Sequence, residues 1–83
     1  MKGNILANLI FDIVSKQIKD NDPPEAKNAY DRLIKLDYSD LEATKLVTQC
    51  MCIEMFNALK YNITIDKNRY YKNLSNLPEP PVE

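Results

Sequence analysis

The chain has 83 residues, 45% of them hydrophobic and 28% charged, with a formal net charge of −1. Such a length allows one domain with a single modest core, burying about 60–65% of the unfolded surface. Eleven basic residues scattered among twelve acids argue against a general polyanion binder, which needs clustered Lys and Arg. No apolar run approaches the roughly 18–20 residues of a membrane span.

Lys2 precedes an apolar stretch, but Asn8, Asp12 and Ser15 punctuate it and no small-residue cleavage site follows, so a signal peptide is not expected. The first helix is predicted from about Gly3 to Asp20. Ile5, Leu6, Leu9, Ile10, Ile13, Val14 and Gln17 fall on one face at 3-and-4 spacing, with Asn4, Asn8, Ser15 and Lys19 opposite. Phe11 and Ile18 lie off that stripe, which implies contact with more than one neighbour.

In DNDPPE, Asp22 is read as an N-cap, Pro23 as the first helical position and Glu25 as an acid placed for the helix dipole. The second helix then covers 23–36 and is expected to bury Ala26, Ala29, Tyr30, Leu33 and Ile34. Asp37 is placed to take the left-handed conformation that ends it. Ser39 and Glu42 form a capping box, with Tyr38 before the cap stapling onto Ala43. Each of Ser39→Ala and Asp22→Ala is expected to cost about 1 kcal/mol.

The third helix is predicted over 40–61 and is the longest. Ile63-Thr64-Ile65 follows as an extended link, Asp66 caps a fourth helix over 67–76, and Ile65 and Tyr70 are spaced as a second staple. The closing PEPPVE, residues 78–83, is a polyproline-type tail with too little apolar surface to pack on its own. The fold class is therefore all-α, a single four-helix domain over 1–77 with a long central third helix.

That third helix is apolar on two sides. At about 100° per residue, Ala43, Leu46, Val47, Cys50, Met51, Ile53, Ala58 and Tyr61 cluster in one arc, which also contains Glu54 and Asn57. Leu41, Cys52, Met55, Phe56 and Leu59 lie roughly opposite. Three arrangements would cover this second face: the fourth helix with the tail, a second copy, or a ligand in a groove. Burial by the fourth helix and the tail is the first expectation and a second copy the next; Met55, Phe56 and Leu59, with Cys52, are the candidate centre of such a two-fold homodimer contact. Glu54 and Asn57 are the candidate buried polar residues. Tyr30, Tyr70, Arg32 or Arg69 would satisfy Glu54, since an unpaired buried charge is costly.

Catalytic and metal chemistry find no support. There is no histidine, no glycine-rich phosphate loop and no nucleophile elbow. Cys50 and Cys52 point about 200° apart on a helix and cannot bridge; they read as reduced thiols in a cytoplasm. LIKLDYSDLEATKL suggests a helix-turn-helix, but its second helix is too apolar and carries only Lys45 and Lys60 as cations. The abundance of Asn, Lys, Ile and Tyr suggests an AT-rich bacterial genome.

NDPPE (21–25), Arg32-Leu33, YSDLEA (38–43), the I-D-x-x-x-Y segment from Ile65 to Tyr70, and LPE (77–79) occur in order across 21–79. In these features the chain resembles a group of short, uncharacterised bacterial all-helical proteins. The resemblance implies a helical fold and carries over no functional residue. The function expected is a non-enzymatic protein-interaction or homodimerisation module, with no cofactor, no metal and no membrane. The alternative is a small nucleic-acid-associated accessory factor.

Overall fold

The computed structural model describes residues 4–81, which form α1 (Asn4–Asp20), α2 (Pro24–Lys35), α3 (Asp40–Tyr61) and α4 (Lys67–Asn76). No strand occurs among them. The all-α, four-helix expectation therefore holds, with helix bounds within one residue of those predicted. Gly3 of the predicted first helix, and Val82 and Glu83 of the predicted tail, lie outside the described residues.

The helix ends are built without glycine. Asp37 takes φ 72°, and its N–H donates to the Ile34 carbonyl at 3.0 Å while the Tyr38 N–H reaches the Leu33 carbonyl at 3.1 Å. This crossed pair is the Schellman closure, which satisfies carbonyls the last helical turn would leave open. The same pattern closes α1, where Asn21 has φ 57° and the Asp22 N–H donates to the Gln17 carbonyl at 3.0 Å. Asn62, at φ 55°, ends α3, and the Ile63 N–H reaches the Ala58 carbonyl at 3.1 Å.

The helix starts divide. At α3 both halves of the capping box are present: Glu42 N–H donates to Ser39 Oγ at 3.1 Å and Ser39 N–H to Glu42 Oε1 at 2.9 Å. At α4, Asp66 Oδ1 accepts from the Arg69 N–H at 3.1 Å. At α2 the predicted cap is wrong. Pro23 occupies the cap position without any side-chain cap bond, and Pro24 begins the helix. Asp22 is drawn into the closing turn of α1 and does not reach α2. The Asp22–Pro23 and Leu77–Pro78 peptide bonds are cis.

These placements separate two substitutions that look alike in sequence. Ser39→Ala should cost about 1 kcal/mol, whereas Asp22→Ala should stay within about 0.5 kcal/mol. Thermal unfolding of both variants checks this. Donation from the Ser39 N–H holds the Glu42 carboxyl below the usual carboxylate range. A depressed folded pKa gives stability that is present above the unfolded pKa and lost as pH falls through the folded one. The stability difference between wild type and Glu42→Gln should therefore shrink below about pH 4.

In the packed domain α2 and α3 touch each other, and both carry α1 on one flank and α4 on the other. Tyr70 Oη bridges the flanks by donating to Gln17 Oε1 at 2.9 Å. Buried alanines at 26, 29 and 43 permit close helix approach. Ile10, Val14 and Ile18 from α1, Leu33 from α2, Val47, Cys50 and Met51 from α3, and Tyr70 and Leu74 from α4 complete the core with Leu77.

Three expectations about burial are corrected. On α1 the inward stripe is Ile10–Val14–Ile18, while Ile5, Leu9 and Ile13 are 75%, 55% and 44% exposed. The covered face is rotated to one edge of the predicted apolar arc and takes in Ile18, which lies off that arc, so the opposite edge stays exposed. Ile34 of α2 is exposed and Tyr30 half-buried; Tyr30 Oη donates to Asp40 Oδ1, which raises the phenol pKa. Tyr61, the last residue of α3, is exposed with the Lys60 ammonium 5.3 Å from its ring centre.

Candidate functional site: a groove beside the third helix

Ile18 and Lys19 lie with Asp40 and Thr44 at one end of the α1–α3 pair, and Ala7 and Asn8 with Cys52 and Phe56 at the other. The two helices therefore run antiparallel. Along one edge of their seam is an open groove of about 660 Å³. Ala7, Asn8 and Phe11 of α1 form one wall, and Lys45, Gln49, Cys52, Ile53 and Phe56 of α3 form the other. The α3 residues follow a 4-and-3 spacing that puts them on one side of the helix. Pro81 of the tail completes the lining.

The predicted second face of α3 thus separates into parts. Phe56 is 47% exposed and Leu59 68% exposed. Cys52 and Met55 are half-buried and pack against the core cluster. Leu41 is exposed. Burial raises the pKa of the Cys52 thiol, so it stays protonated near neutrality and is a poor nucleophile. Cys50, fully buried, is pushed up to about 12 by desolvation. Both thiols are free.

The two candidate polar residues also part company. Asn57 is half-buried. Glu54 is fully buried and accepts from Arg69 Nε at 2.7 Å, Arg69 Nη2 at 3.0 Å and the Asp66 N–H at 2.9 Å. The bond to Glu54 raises the Arg69 pKa. Of the four partners considered from sequence, Arg69 is the one that meets Glu54. Arg32 instead donates from Nη2 to the carbonyls of Leu74 and Leu77, each at 2.9 Å. Tyr70 goes to Gln17, and Tyr30 to Asp40.

Glu54 is therefore a structural clamp. It fixes the link between α3 and α4 by holding both the backbone at Asp66 and the first turn of α4. No buried side-chain polar atom among the described residues lacks a partner. Among the same residues no group of three or more His, Cys, Asp or Glu is placed to hold a metal. No helix there is long and apolar enough to cross a membrane.

The groove residues Ala7, Gln49 and Pro81 were not singled out from sequence, and Ile53 was assigned to the opposite, core-facing arc of α3. Phe11 gave the one available signal, as an aromatic off the main stripe of its helix. Comparison with protein-family models, curated proteins and solved structures finds no match for this chain.

Proposed function

We propose that the chain is a non-enzymatic interaction module that pairs with a second copy of itself through the outer face of α3. Phe56 and Leu59 form the centre, with Cys52 and Met55 behind them. The observation that carries this reading is the exposure of Phe56 and Leu59 on the longest helix. The net charge of −1 leaves little repulsion between copies, and a self-complementary patch pairs by default across a two-fold axis. The patch is small, so association costs offset much of its burial and a micromolar dimer follows. Two free cysteines support a reducing, cytoplasmic setting.

Sedimentation velocity on wild type and Leu59→Glu tests the reading. Leu59 is exposed enough for the variant to stay folded, which circular dichroism checks. The expected result is a wild-type dimer at tens of micromolar and a folded monomeric variant. A wild type still monomeric at several hundred micromolar would sink the proposal. Salt-sensitive binding of labelled duplex or single-stranded nucleic acid would favour the accessory-factor reading instead.

A further inference from the structure

The groove's remaining wall is not a helix. Leu77 is buried, and its carbonyl and that of Leu74 accept from Arg32, which anchors the root of the tail. Beyond it Pro78, Glu79 and Pro80 are exposed, and then Pro81 is half-buried among the groove residues, which include Phe11, Cys52 and Phe56. The segment adds nothing to the core between its root and its tip. It leaves an anchored point, passes through solvent and returns to an apolar seat.

The chemistry of seat and segment agrees. Proline presets the backbone, and the start of the segment is already held in a turn, the Glu79 N–H donating to the Asn76 carbonyl at 3.0 Å, so little order is lost when its tip docks. Aromatic-lined grooves are the usual recognition surface for such segments, and Phe11 and Phe56 both line this one. Being tethered only a few residues away, the tail sees the groove at millimolar effective concentration.

We propose that the groove is the seat of Pro81, the tip of the chain's own tail, and that this strap lies over Cys52 beside the half-exposed Phe56 and competes there with the second copy. The competition rests on the dimer reading above; the seat does not. When the strap lifts, Phe56 and the groove become one continuous apolar surface. When it lies down, the dimer contact is trimmed toward Leu59.

The test compares wild type with the double variant Pro80→Gly/Pro81→Gly, both changes lying outside the helices. The first readout is the alkylation rate of each cysteine by N-ethylmaleimide, resolved by mass spectrometry. Cys52 should react roughly three- to tenfold faster in the variant, and buried Cys50 should not change. An unchanged Cys52 rate overturns the seat. The second readout is the dimer dissociation constant, which should tighten about tenfold when the strap is loosened. Faster alkylation with an unchanged dimer constant overturns the competition. Faster alkylation with no dimer in either protein supports the seat and overturns the dimer reading alone.

Discussion

Arg69→Met should lower the unfolding free energy by about 3 kcal/mol, and Glu54→Gln by about 1–2 kcal/mol. The two substitutions attack one ion pair, yet they leave different debris. Glu54 is fully buried, so removing Arg69 strips a buried carboxylate of its cation and leaves it the Asp66 N–H. Breaking a buried pair this way costs about 3–5 kcal/mol. The lower figure applies because the Arg69 side chain is 28% exposed and solvent screens part of the attraction. Glu54→Gln keeps the volume and an acceptor, and it removes the charge that strengthens the bonds. For a domain of this size, 3 kcal/mol corresponds to about 12–24 °C in Tm.

Urea unfolding of wild type and both variants measures these losses. Losses under about 1 kcal/mol in both variants would show that the clamp is not a structural keystone.

On α1, Ile10→Ala should cost about 3 kcal/mol and Leu9→Ala no more than about 1 kcal/mol, though the two are neighbours of similar size. Ile10 is fully buried in the core, whereas Leu9 is half-exposed. Deleting the first removes three carbons from a packed site and leaves a cavity; large-to-small changes of this kind cost about 2–5 kcal/mol. Deleting the second returns surface that water already touches. Equal losses from the two would mean that the exposed stripe Ile5–Leu9–Ile13 is covered in solution, as in a dimer through α1 and not through α3. Chemical denaturation at low protein concentration, repeated at high concentration, distinguishes those cases.

The helix termini were the most legible part of this molecule. Ser39, Glu42, Asp37 and Asp66 act on backbone groups three to four residues away, so their effect is written in local sequence. Asp22 failed because two consecutive prolines left the helix start ambiguous, and the structure chose the second. The buried face of α1 was not legible in the same way. Seven positions share its apolar arc, and how many are covered depends on where the neighbours lie. Ile18 was read as lying off that stripe toward a second neighbour, whereas it belongs to the same core as Ile10 and Val14. The Glu54 clamp was half legible: burial followed from the arc, but choosing Arg69 over Arg32 needed the path of the link at 63–66. The groove was least legible, since it joins a turn of α1, a face of α3 and the tail, which no local pattern relates.

The three left-handed helix ends also bear on the unfolded chain. Asn21, Asp37 and Asn62 carry a backbone conformation that glycine adopts without steric cost. Yet a glycine at each site would widen the range of conformations open to the denatured ensemble, and folding would then have more freedom to remove. With a single glycine and five prolines in 83 residues, the unfolded chain is already stiff. The strain retained at each helix end is therefore set against a denatured state of lower entropy, and the thin margin of a small domain rests partly on the state that no contact map depicts.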